Sequence, residues 1–92
     1  MILARAHDLL KRVEDLVHTN YLMIKYIPFA TQFYQRQFAI MRRIQEDLHR
    51  IIGHSHYISE EDFAGMEHVV EVQEYWCNTD NIRELHQSFI HS

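Results

Sequence analysis

The segment Met23-Ile24-Lys25-Tyr26-Ile27-Pro28-Phe29-Ala30-Thr31-Gln32-Phe33-Tyr34 decides how this 92-residue chain folds, because its one proline separates two long apolar stripes. Before it, Ile2, Ala6, Leu9, Val13, Leu16, Met23 and Ile27 recur at alternating spacings of four and three, with Asn20 in the single polar gap. That spacing keeps one stripe of a helix apolar. Pro28 has no amide hydrogen to donate and biases Ile27 toward extended backbone, so the first helix is expected to end near residue 26. After it the stripe resumes at Ala30, Tyr34, Met41, Ile44, Leu48 and Ile51, interrupted only by Gln37, and runs to Gly53.

Downstream, Gly53-His54-Ser55-His56-Tyr57 reads as a loop. Ser59-Glu60-Glu61-Asp62 then reads as a helix start, where a Ser hydroxyl caps free amides and acids complement the positive end of the helix dipole. The third helix is predicted to run to Trp76 or Cys77, burying Phe63, Met66, Val69, Val70 and Trp76. Asn78-Thr79-Asp80 offers turn and cap residues, and a short fourth helix is predicted with Ile82, Leu85, Phe89 and Ile90 inward. The whole reads as one all-α domain over residues 1–92: an antiparallel up-down-up-down bundle of two long helices, a medium one and a short one.

Register follows from the same positions. Folding back at Pro28 with facing numbers that add to 57 sets Met23 against Tyr34, Leu16 against Met41, Val13 against Ile44 and Leu9 against Leu48. It also sets Asn20 against Gln37, so two amides that would each cost roughly 1 to 3 kcal/mol if left unpaired in a core could satisfy one another. Around Ser55, numbers that add to 110 set Arg36, Arg43 and Arg50 against Glu74, Glu67 and Glu60, predicting three ion pairs between the second and third helices.

Those pairs would give the charge distribution an internal use. The net charge of −4 divides into about +3 for residues 1–50, with eight Lys and Arg against five acids, and −7 for residues 51–92, with Arg83 against eight acids. With its positive face neutralised internally, the chain is not expected to bind nucleic acid. A single cysteine, Cys77, allows no internal disulfide, and the N-terminal residues reach Arg5 and Asp8 without a long apolar run. A cytoplasmic location with no membrane association is the expectation. Beside Trp76 on an inward face, the Cys77 thiol should stay protonated and unreactive.

Eight histidines are present, and His49, His54 and His56, with Asp47 and His68 as possible neighbours, are the residues best placed to offer nitrogen donors to a metal such as zinc. Their spacings match no established zinc pattern and no cysteine joins them, so neither a metal nor any other cofactor is expected. Leu48-His49-Arg50-Ile51-Ile52-Gly53 resembles the site of histidine phosphotransfer domains, which implies an exposed phosphorylatable histidine at His49. Ile52, however, stands where that family carries a lysine. Arg43 and His49 resemble the Arg-x(4–6)-His pair of HEPN-type helical ribonucleases. A small enzyme or metal-binding protein centred on His49, His54 and His56 is therefore the alternative reading.

The leading reading rests on surface. Tyr21, Leu22, Tyr26, Phe29, Phe33, Phe38 and Ile40 lie beside or off the main stripes, giving more aromatic area than one two-helix seam can bury. An exposed apolar patch on a small helical scaffold usually binds another chain. The sequence therefore predicts a non-catalytic protein-interaction module or small adaptor, with Tyr26, Phe29, Phe33 and Phe38 as partner-binding residues and a homodimer as one form of partnership.

Overall fold

A computed structural model of the chain describes residues 2–54, 56–78, 81–84 and 87. Every regular element among them is helical. Helix α1 spans Ile2–Tyr26, a single 3-10 turn spans Pro28–Ala30, helix α2 spans Thr31–Gly53 and helix α3 spans Glu60–Trp76. Residues 81–84 are also helical. The predicted inward positions Leu85, Phe89 and Ile90, and the turn residues Thr79 and Asp80, lie outside the described residues.

The break at Pro28 has the expected local cause. Ile27 takes φ −124° and ψ 80°, outside the helical region, and Ala30 N–H donates to the Ile27 carbonyl at 3.3 Å to close the turn. Thr31 then opens α2 and returns its hydroxyl to the Pro28 carbonyl at 3.2 Å. At the start of α3, the Ser59 hydroxyl accepts from Asp62 N–H at 3.1 Å, with Glu60, Glu61 and Asp62 in the first turn. The cap and the dipole-complementing acids therefore stand where the sequence placed them.

Both long stripes point inward. Ala6, Leu9, Val13 and Leu16 of α1 meet Met41, Ile44, Leu48 and Ile51 of α2 in one core, which Phe63 and Val70 of α3 complete. A second cluster lies toward the Pro28 end. Ala30 and Tyr34 form its centre, with Met23, Ile24, Ile27, Phe33, Trp76 and Cys77 packed around them.

Helix α3 is seated differently from the prediction. Val69, expected inside, is 37% exposed, and Gln73, not expected there, is buried. Gln73 Nε2 donates to Gln37 Oε1, and the Tyr34 hydroxyl donates to the Trp76 carbonyl at 3.2 Å. Both contacts join residues whose numbers add to 110, the sum expected between α2 and α3. The expected amide pair does not: Asn20 Nδ2 donates to the Leu16 carbonyl of its own helix at 2.9 Å, while Gln37 is taken up by Gln73.

The predicted Arg–Glu pairs are also corrected. Arg5 of α1 holds both Glu60 and Glu67, and its guanidinium lies 5.0 Å from the centre of the Phe63 ring. Arg12, seven residues on, clasps Glu74 through two bonds of 3.0 and 2.6 Å. The α3 glutamates thus face α1, and the partner numbers rise together along both helices. Arg50 is held by Asp47 of its own helix, and among the described residues Arg36 and Arg43 have no carboxylate partner.

Candidate functional site

The four residues proposed to bind a partner fall in three different settings. Tyr26 is the last residue of α1 and is 67% exposed, its ring 5.5 Å from the Lys25 ammonium. Phe29 sits in the 3-10 turn just beyond Pro28 and is 37% exposed. Tyr21 and Leu22 are exposed on the final turns of α1, and Leu22 shares a helix face with Tyr26, four residues later. The chain reversal therefore carries an apolar corner: the proline forces the turn, and the turn leaves aromatic residues on its outer side.

Phe33 belongs to the packing instead. Its ring meets Tyr34 edge to face at 5.2 Å between centres and Trp76 at 6.2 Å, within the second core cluster. Phe38, five residues further along α2, points about 140° away around the helix axis. It is half-buried and lines a shallow depression with Ala39, Arg42, Arg43, Glu46 and Arg50. Phe29 and Phe33 line one shallow depression at the Pro28 turn, Tyr26 is exposed at the end of α1 just before it, and Phe38 lies in a separate depression further along α2.

Histidines 49, 54, 56 and 68 are all exposed. Among the described residues, no group of three or more His, Cys, Asp or Glu is placed to hold a metal ion. His56 lines a cleft of about 340 Å³ between the end of α2 and the start of α3, together with Asp47, Arg50, Tyr57, Asp62 and Met66. Ile52, at the position where phosphotransfer domains carry lysine, is half-buried against the main core. Arg43 and His49 are six residues apart on one helix, so they project about 120° apart around it.

Cys77 lies where both core clusters meet. Burial, reinforced by the charge of Glu74, pushes its thiol up to about 11, which keeps it protonated near neutral pH. Tyr34 is fully buried, and its phenol is pushed up to about 12 by desolvation and then by Cys77. These two neighbouring groups are perturbed by packing.

No protein family, curated protein or solved structure matches this chain. Among the described residues, no helix is long and apolar enough to cross a membrane.

Proposed function

We propose that this chain is a non-catalytic protein-binding module, a single-domain bundle whose helices run up, down, up and down, acting in the cytoplasm through the apolar corner at Pro28. The topology is supported by the α1–α3 ion pairs, whose numbers rise together, and by the α2–α3 contacts, whose numbers run oppositely. The functional reading rests on one observation: Tyr26 and Phe29 leave two aromatic side chains exposed on either side of Ile27 and Pro28, with Leu22 exposed one helical turn before Tyr26 on the same face. Aromatic side chains on such a turn bring large contact area with little conformational entropy to lose, which suits the centre of a binding surface. A partner helix or loop would dock there by apolar contact, with Lys25 at the rim.

The test is site-specific photocrosslinking in the native host. A photoreactive phenylalanine analogue at Tyr26 is expected to capture a defined partner, and Phe29→Asp in the same chain to abolish the capture while the circular dichroism spectrum stays unchanged. The control position is Tyr57, which is 85% exposed in the α2–α3 loop. Identical products from Tyr26 and Tyr57 would refute a specific surface at the corner.

A further inference from the structure

The glutamates expected to neutralise α2 are held by α1 instead, and this leaves one side of α2 positively charged. Arg36, Arg43 and Arg50 recur every seven residues, so each lies within about 20° of the one before it around the helix axis and about 10.5 Å further along. All three are exposed, on a side of α2 turned well away from its buried stripe of Tyr34, Met41, Ile44 and Leu48. Among the described residues Arg36 and Arg43 meet no carboxylate. Arg42, also exposed, reaches the Gln45 amide of its own helix at 3.1 Å, and Arg50 is held by Asp47.

The charges border a place where another chain can approach. Ala39, exposed between Arg36 and Arg43, carries only a methyl group and lets a neighbouring backbone come close. A shallow depression beside it is lined by Phe38, Ala39, Arg42, Arg43, Glu46 and Arg50, three guanidinium groups to one carboxylate. Phe38 adds half-buried aromatic area to that lining.

We propose that this face of α2, with Arg36, Arg42, Arg43 and Arg50 around Ala39 and Phe38, docks an acidic α-helix of a partner protein whose Asp or Glu residues recur every seven positions. Such a helix laid alongside α2 repeats its carboxylates at the same interval of about 10.5 Å, so successive ion pairs form in a single register, as they do along the flanks of a coiled coil. Other anions match the stripe less well. Along one nucleic-acid strand the phosphates recur about every 3.4 Å of axis, so most would meet no guanidinium. An anionic membrane presents a sheet of charge, which Glu46 and the net charge of −4 oppose. A second copy is poorly equipped as well: its Glu60, Glu67 and Glu74 are engaged by Arg5 and Arg12, and its other acids at that spacing, Asp8 and Asp15, flank Lys11. None of the α2 residues belongs to the Pro28 corner, so this inference and the proposed function can fail separately.

An NMR titration of the isotope-labelled full chain at 50 mM NaCl tests it with two designed peptides of identical composition, built on alanine and glutamine and stabilised as helices. One carries glutamate at every seventh position; in the other the glutamates are moved to break that spacing. The first is expected to shift the amides of residues 36 to 50 and to bind about tenfold more tightly than the second, with its own affinity falling about tenfold at 500 mM NaCl. Arg36→Glu with Arg43→Glu should weaken binding by about tenfold or more, whereas Lys11→Glu with Arg83→Glu, an equal change in net charge elsewhere, should leave it within about twofold. Circular dichroism checks that both variants fold. Absence of binding at 50 mM NaCl overturns the proposal, as does equal affinity for the two peptides or undiminished binding by the Arg36 and Arg43 variant. Tighter binding of a single-stranded oligonucleotide of the same charge would overturn it too, in favour of a nucleic-acid surface.

Discussion

The Tyr34 hydroxyl donates to the Trp76 carbonyl across 3.2 Å, tying the first turn of α2 to the last turn of α3 at a partly buried point. Cys77, the next residue, is half-buried beside it. Two weak acids whose charged forms are disfavoured therefore share one end of the molecule.

That arrangement predicts alkaline sensitivity. The folded-state values, about 12 for Tyr34 and about 11 for Cys77, lie above the ordinary 10.0 and 9.0. The folded protein consequently binds these protons more tightly than the unfolded chain does. Their contribution is fully present below about pH 9 and is lost as pH rises, through 11 for the thiol and through 12 for the phenol. For Tyr34 a shift of this size corresponds to roughly 3 kcal/mol. Urea unfolding followed between pH 8 and 12 should show stability falling from about pH 9 upward. Tyr34→Phe should cost about 1 kcal/mol at pH 7 through the lost hydrogen bond, yet flatten the decline above pH 10. An unchanged pH slope in this variant would dissociate Tyr34 from the alkaline transition.

The ion pairs of α3 predict which arginines matter to folding. Arg12 meets Glu74 with two parallel bonds, but both side chains are about 40% exposed, so solvent screens much of the attraction. A double-mutant cycle on Arg12→Ala and Glu74→Ala is expected to give a coupling of about 0.5 to 1 kcal/mol, whereas the same cycle on Arg36 and Glu74 should give none. Arg5→Ala should lower the unfolding midpoint more than Arg43→Ala, because Arg5 joins two glutamates and covers the Phe63 ring. Equal effects of the Arg5 and Arg43 substitutions would contradict the placement of α3 against α1.

The stripes of α1 and α2 were legible because each is interrupted by only one polar residue, so the period alone assigns the inward face. Helix α3 was not legible in that way. Val69, Val70 and Val72 are spread over about 160° of its circumference, and an apolar pattern that wide leaves the rotation of a helix to its tertiary contacts. The choice fell on the rotation that gives Glu60, Glu67 and Glu74 to α1 and turns Gln73 inward. Gln73 could have been found, since the register rule that joined the wrong arginines also sets it opposite Gln37. In the candidate site, nothing in the sequence separates Phe33 from Phe29; only the position of Trp76 makes one a packing residue and leaves the other on the corner.

Asn20 predicts a gain in stability. Its side chain is fully buried and its Nδ2 is satisfied by Leu16, but Oδ1 has no hydrogen-bond partner. An unmet buried acceptor carries a desolvation cost with nothing to offset it. Asn20→Leu, which keeps the branching and nearly the volume, should stabilise the fold by about 1 kcal/mol in urea titrations. The amide's contribution would then be to specify the alignment of α1 and α2 rather than to strengthen it. Destabilisation by more than about 1 kcal/mol would show instead that Oδ1 is engaged in solution.

The rotation of α3 also separates two apolar residues that the sequence treats alike. Phe63 is buried in the main core, in contact with the α1 arginine that holds Glu60 and Glu67, whereas Val69 lies on the outer side of the same helix. Removing a buried aromatic ring leaves a cavity as well as losing transfer energy, so Phe63→Ala should cost about 3 to 5 kcal/mol. For a chain of this size, that is enough to populate the unfolded state at room temperature. Val69→Ala removes two methyl groups already in contact with water and should change stability by less than about 0.5 kcal/mol, provided it is measured at a concentration where the chain is monomeric. Thermal unfolding of the two variants side by side decides the matter. If Val69→Ala proves as damaging as an inward substitution, α3 is rotated toward the position first read from its sequence, and the seam it shares with α2 is closed.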